Sequence, residues 1–298
     1  FGIILLYFLT KKFFGSNYAT LFVIIIFIIH PYLLKPWHNY ILFFLISIFL
    51  YLKSFFNFKY DLFSSLILGI TFLFSETFFA TSFLIATIDL IYSFRVFGKK
   101  IIYKKIILFL SPTILFMIYL FTRDLFSDWI LYNETYPVLL KYFYKTDIIN
   151  YIIDNLKIFL FSYKYIYSDT VIFSYSIIYL SNFIFIIINL KKFFKNKLNN
   201  ENLFFLLIAS LNLILISQII SNISTFKLAT LSSFGFIIIL LYIKNIKDIY
   251  LKKLIISIVI LLSLNSFFDQ KKDWISDRYY YSQNNVKNEK FNFLKSQK

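Results

Sequence analysis

Long apolar stretches separated by short clusters of charge constrain this chain more than anything else in its sequence. Leu21 to Ile29, Ile106 to Thr122, Val171 to Leu190 and Leu203 to Ile223 are too apolar in succession for a water-soluble core. A helix crossing the hydrocarbon of a bilayer takes about 20 such residues. The pattern predicts an all-α, polytopic transmembrane bundle. Composition agrees: 59% of residues are hydrophobic and 15% charged, against roughly 25% charged in a soluble domain.

About ten spans can be drawn: Phe1 to Leu9, Tyr18 to Leu34, Tyr40 to Phe56, Leu62 to Ser75, Thr77 to Phe94, Ile106 to Thr122, Val171 to Leu190, Leu203 to Ile223, Leu228 to Ile243 and Leu254 to Phe268. Only Glu76 separates the fourth from the fifth, so Leu62 to Phe94 reads either as two spans or as one kinked re-entrant pair. Residues 1–268 form the membrane domain and 269–298 a polar, basic tail. The chain opens on Phe1-Gly2-Ile3, already apolar and without an initiator methionine, which reads as a fragment beginning inside a helix.

The net charge of +16 would point to nucleic acid in a soluble protein. Here the lysines sit between spans, so no nucleic-acid partner is expected. One set of loops carries Lys11 and Lys12; Lys53 and Lys59; Arg95, Lys99, Lys100, Lys104 and Lys105; Lys191, Lys192, Lys195 and Lys197; and Lys244, Lys247, Lys252 and Lys253. The intervening short loops carry only Lys35, Glu76 and Lys227. The two sets alternate, and positive charge marks the cytoplasmic side. The expectation is a multi-pass protein of a bacterial inner membrane with its C-terminus outside. Asp89 reads as an ordinary residue near the cytoplasmic end of its helix.

The chain has no cysteine and two histidines, so thiolate and histidine-rich metal centres are not expected. Five glycines among 298 residues leave packing to interlocking Phe, Ile and Leu rather than to GxxxG contacts. Asn212, Gln218 and Asn222 read as interhelical hydrogen-bonding groups. The outer segment Arg123 to Thr170 contains Asp124, Asp128, Trp129 and Glu134. A helical pattern follows through Ile149, Ile152, Ile153, Leu156, Phe159 and Leu160. It suits a helix lying in the outer interface, as a connector or as a wall facing substrate.

The run Leu6-Tyr7-Phe8-Leu9-Thr10-Lys11-Lys12-Phe13-Phe14-Gly15, the element Pro36-Trp37-His38-Asn39-Tyr40, the helix Leu66-Ile67-Leu68-Gly69 to Ser75-Glu76 and the segment with Ser127-Asp128-Trp129 and Tyr132-Asn133 together resemble the GT-C class. These are glycosyltransferases that use polyprenyl-phosphate sugars, among them the protein O-mannosyltransferases and the lipid A aminoarabinose transferase. The resemblance covers Phe1 to Asn150. It implies transfer of a sugar from a polyprenyl-phosphate-linked donor to a glycan or lipid acceptor at the outer, periplasmic face, with a divalent metal as an optional cofactor. The catalytic aspartate of that class belongs to an outer loop upstream of Phe1, and Asn39 stands where relatives have an acidic residue. The fragment alone is therefore expected to be inactive. A polysaccharide polymerase or ligase and a transporter are the alternatives.

Candidate substrate-binding residues follow from their placement. Glu76 lies between apolar spans, where an ionisable group at mid-bilayer costs about 2.5–3.5 kcal/mol. It reads as a polar wall of the donor or acceptor site, or as the soluble residue of a tight turn. His38 and Asn39 beside Trp37 can hydrogen-bond a sugar or phosphate, or flank an interfacial aromatic anchor. Arg123, Asp128 and Lys227 complete the outer set. Arginine suits bidentate binding of a lipid phosphate, and an ion pair with Asp124 is the alternative use of Arg123.

Overall fold

A computed structural model describes residues 1–29, 38–73, 76–132, 134–135, 170–220 and 230–264. Among them the backbone is helical, with no strand. In chain order the helices are α1 (Gly2–Phe14), α2 (Ser16–Ile29), α3 (His38–Lys53), α4 (Phe58–Leu73), α5 (Glu76–Phe97), α6 (Lys100–Thr122), α7 (Thr170–Phe194), α8 (Asn200–Ile220) and α9 (Phe236–Asn245). A further helix, α10, covers 249–264. The region around Glu76 forms two separate helices, α4 and α5, packed side by side. The interfacial helix expected after Ile148 and the tail 269–298 lie outside the described residues.

Two helices, α6 and the 176–194 part of α7, are long and apolar enough by composition to cross a membrane. Both leave most of their side chains uncovered. Ile107, Leu115 and Phe121 of α6 and Leu180, Phe183 and Ile187 of α7 are all more than half exposed. Such contiguous apolar surface is far from the norm for a soluble monomer.

α4 is the hub of the first half, and its pairing with α6 is the most extensive in the structure. Gly69 makes that closeness possible. A Cβ at Gly69 would run into the Phe109 carbonyl of α6 and come within 3.1 Å of Pro112 Cδ. Pro112 has no N–H to give the Leu108 carbonyl one turn back; the Ser111 hydroxyl donates to that carbonyl instead, at 2.9 Å. Glycine thus contributes at one decisive contact, although the scarcity of glycine predicts packing by large side chains alone.

Elsewhere large side chains do dominate. Phe13 stacks on Phe204 and meets Phe205 edge-on, each at 5.3 Å. Phe22 stacks on Phe236 at 6.0 Å, and Phe43 meets Phe234 at 5.2 Å. These contacts join α1, α2 and α3 to α8 and α9 in one buried cluster. Aromatic pairs of this kind add roughly 0.5–1.5 kcal/mol each beyond area burial.

Gly69→Leu should separate α4 from α6 and lower the thermal midpoint of the purified protein by several degrees, with Gly69→Ala intermediate. Unchanged melting of both variants, read by fluorescence-detected size exclusion after heating, would show that this contact is not tight.

Candidate functional site

Four helices place one charged side chain each at a single buried point. Lys53 is the last residue of α3, Asp61 lies in the first turn of α4, Asp89 is in α5 and Lys105 in α6. All four are 1–2% exposed. Lys53 pairs with Oδ1 of both Asp61 and Asp89. Lys105 pairs with Oδ2 of Asp61 at 2.9 Å and Oδ2 of Asp89 at 2.5 Å. The four groups form a closed ring in which cation and anion alternate. Two lysines against two aspartates leave no net charge.

Each lysine hydrogen-bonds Asp61 and the Ser93 hydroxyl and ion-pairs with Asp89, whose Oδ1 is buried without a hydrogen bond of its own. Ser93 Oγ accepts from Lys53 at 2.9 Å and from Lys105 at 2.8 Å, which occupies both of its lone pairs. The Tyr92 ring covers Lys53 Nζ at 4.6 Å. A buried charge is tolerated when it is paired; every charge of this ring faces two of opposite sign, and one carboxylate oxygen, Asp89 Oδ1, gains the ion pair without a hydrogen bond. Chemically it is a clamp on four helix ends.

The ring corrects two sequence expectations. Lys53 and Lys105 are interior residues rather than loop lysines, and Asp89 is a member of the most buried charge cluster described. Asp61 and Asp89 carried the missed signal, since a carboxylate within an apolar span needs a partner.

Other lysines tie the same end of the bundle. Lys12 donates to the Ser54 carbonyl and sits 4.5 Å from the Phe55 ring. Partial burial lowers its pKa from the ordinary lysine value. Lys244 donates to the Phe13 carbonyl at 2.8 Å. Cations at helix C-termini satisfy free carbonyls and oppose the negative end of the helix dipole. Lys or Arg occupies the last turn of α1, α3, α5, α7 and α9, and of none of α2, α4, α6 and α8.

The expected substrate-binding residues belong to the opposite end. His38 and Asn39 start α3, Glu76 starts α5, and Arg123 caps the C-terminus of α6. Measured along their helices from the ring, these positions are roughly 20–27 Å away at 1.5 Å per residue. Their helix termini share one end of the α3–α6 unit; the side chains of His38, Asn39 and Glu76 are outside the described residues, as is Lys227. Arg123 and Asp124 are both exposed and form no ion pair with each other, and Asp128 is exposed as well. Asp124 takes a left-handed conformation, φ 56°, turning the chain into a short helix at 126–132. Phe126 then stacks on Phe121 at 4.3 Å, and Trp129 meets Phe116 at 6.4 Å. The described part of the outer segment folds back on α6. Among the described residues no three Asp, Glu or His side chains gather as a metal site.

In the second half, Asn212 bears out its expected role. Its Nδ2 donates to the Leu231 carbonyl at 3.0 Å, and Asn182 Nδ2 donates to the Gly235 carbonyl at 3.1 Å. Both amides are fully buried and face the break at 233–235 that precedes α9. The Gln218 side chain and Asn222 are outside the described residues. No family model, curated protein or solved structure matches this chain.

Removing one member should unbalance the ring. Asp89→Asn leaves an unpaired buried cation, a change worth about 3–5 kcal/mol at comparable buried pairs. Asp89→Asn combined with Lys105→Gln restores neutrality and should melt at a higher temperature than Asp89→Asn alone. A double variant that melts lower still, by the sum of the two single losses, would show that the four groups are not coupled.

Proposed function

We propose that this chain is a multi-span membrane bundle of about ten helices in a bacterial inner membrane. We further propose that it belongs to a glycosyltransferase of the GT-C class, moving a sugar from a polyprenyl-phosphate donor to a glycan or lipid acceptor at the outer face.

One observation carries the membrane part: basic residues close alternate helices, α1, α3, α5, α7 and α9, and are absent from the ends of the others. In a bundle whose helices alternate in direction, all the cationic ends fall on one side, the arrangement that fixes orientation in a membrane. The distribution of apolar surface agrees, with many large apolar side chains left uncovered on the outside of the bundle. The span and sidedness reading makes the ring end cytoplasmic and puts His38, Asn39, Glu76 and Arg123 at the outer end.

The transferase part rests on the resemblance in Phe1 to Asn150 and on that shared outer end. In such a reaction a carboxylate takes the proton of the acceptor hydroxyl while cationic groups stabilise the departing phosphate. Arg123 is suited to the second task and has no competing ion pair.

A transporter is the second reading, favoured by the buried helix break at 233–235 with its two asparagines. Interrupted helices of this kind line transport sites. The charges of the ring are enclosed and balanced by one another, which ranks transport lower.

Reporter fusions after Lys104 and after Lys271 should report opposite sides of the membrane; signals from the same side would overturn the proposed topology. For the transferase, purified protein should retain undecaprenyl phosphate in native mass spectrometry. Arg123→Gln should weaken that binding about tenfold, or 1.4 kcal/mol. Equal retention of undecaprenol lacking phosphate, or no effect of the Arg123 variant, would remove the support for a donor site there.

A further inference from the structure

The ends of α5, α7 and α8 enclose a cleft of about 310 Å³ that the proposed reaction does not use. Arg95, in the last turn of α5, reaches across it and hydrogen-bonds the Asn196 side chain in the α7–α8 turn. Its guanidinium lies over the Phe193 ring at 4.9 Å. The remaining wall is formed by Asn200 together with Phe94 and Leu203.

Three features set this cleft apart from the charge-balanced ring. First, among the described residues Arg95 has no acidic partner. Residues 90–122 and 170–200, which supply most of the wall, contain no Asp or Glu. Asp89, six residues before Arg95 in α5, is paired with Lys53 and Lys105, and Glu201, at the start of α8, is exposed and makes no ion pair with Arg95. A guanidinium has five N–H donors. One bond to an amide oxygen leaves most of its charge and fork unanswered. Second, exposed Lys99, Lys191, Lys192, Lys195 and Lys197 flank the cleft on neighbouring segments. Third, α8 begins here: Asn199 Oδ1 accepts the Asn202 N–H at 2.8 Å, and the positive end of a 21-residue helix faces the same region.

The chemistry is that of an anion site with apolar flanks. Beside the cleft, Phe194 is 68% exposed and Leu190 43%, an apolar surface continuous with the uncovered side of α7. A phosphate attached to hydrocarbon fits both halves of this surface; a free water-soluble anion uses only the polar half. We propose that the Arg95–Asn196 cleft binds the phosphodiester headgroup of an anionic phospholipid from the cytoplasmic leaflet. The proposal rests on the membrane orientation argued above. Asn196 preorganises the arginine, and its left-handed conformation, φ 55°, places the turn against α5. Bidentate contact from a fixed guanidinium gives the phosphate selectivity over a zwitterionic headgroup shielded by its own ammonium.

The test uses the full chain purified in a neutral detergent, titrated with dihexanoyl-phosphatidylglycerol, dihexanoyl-phosphatidylcholine or inorganic phosphate, with binding read by thermal shift and native mass spectrometry. Phosphatidylglycerol should bind at least tenfold more tightly than phosphatidylcholine. Arg95→Gln should reduce its affinity about tenfold, and Lys59→Gln, a charge-matched change elsewhere at the same end, less than twofold. Asn196→Asp supplies the arginine with a carboxylate while keeping the turn, since aspartate tolerates left-handed backbone. It should weaken phosphatidylglycerol as much as Arg95→Gln does. Equal binding of the two lipids, or phosphatidylglycerol binding indifferent to Arg95 and Asn196, overturns the site. Inorganic phosphate that displaces the lipid at equal concentration overturns the lipid assignment in favour of a free anion. Because binding is read in detergent, it fails independently of the reporter fusions that test orientation.

Discussion

The ring of Lys53, Asp61, Lys105 and Asp89 is the interaction on which the first half of the bundle depends. Bringing four charges out of water carries a penalty of several kcal/mol per ion, which their mutual pairing must offset. Each lysine answers both aspartates and Ser93. Such an arrangement exists at one relative placement of α3, α4, α5 and α6. A shift of one helix by a turn, about 5.4 Å, would strand at least one charge. Apolar contacts tolerate sliding far better, so the ring supplies register where Phe, Ile and Leu supply cohesion. The close approach at Gly69, on the outer side of the ring along α4, is available only once that register is set.

The two halves of the bundle use different polar devices. In the first, charge is buried and neutralised. In the second, Asn182 and Asn212 donate to main-chain carbonyls beside the helix break at 233–235, those of Gly235, which also accepts the Ile238 N–H, and Leu231. Backbone polarity released inside an apolar interior must find a partner, and side-chain amides provide one without charge. Gly235 permits this closeness: a Cβ there would lie within 2.6 Å of Asn182 Nδ2. The aromatic contacts of Phe13, Phe22 and Phe43 then join the two halves without any polar requirement of their own.

The helices themselves were legible in the sequence. Hydrophobic runs punctuated by lysine marked nearly every described helix, because a chain with so few polar residues announces its turns by their charge. Asn212 was legible for a similar reason, being a polar residue amid an apolar run. The ring was not. Lys53 and Lys105 stand at the borders of apolar segments, as topogenic lysines do, and sequence position alone does not tell a side chain pointing into the bundle from one pointing to water. Asp61 lies eight residues beyond Lys53 across a turn, and Asp89 and Lys105 are sixteen apart on neighbouring helices. Their convergence is a property of packing. The cleft at Arg95 was hidden for the same reason, since Asn196 is 101 residues away.

Charge pairing distinguishes the two cationic sites at this end of the molecule. Lys53 and Lys105 are each paired with two buried aspartates, which cancel their charge within the ring. Arg95 has spent one donor, on an uncharged amide, and keeps its full charge beside a row of exposed lysines. Counting lysines and arginines along the sequence weights the three equally. Counting their hydrogen bonds does not: the first two hold the helices to one another, and the third faces whatever lies beyond them. The alternation of basic helix ends survives that correction. Arg95, Lys191, Lys192 and Lys244 close their helices without a carboxylate to neutralise them. The net positive charge at these helix ends is therefore carried by residues that, among the described ones, have no acidic partner.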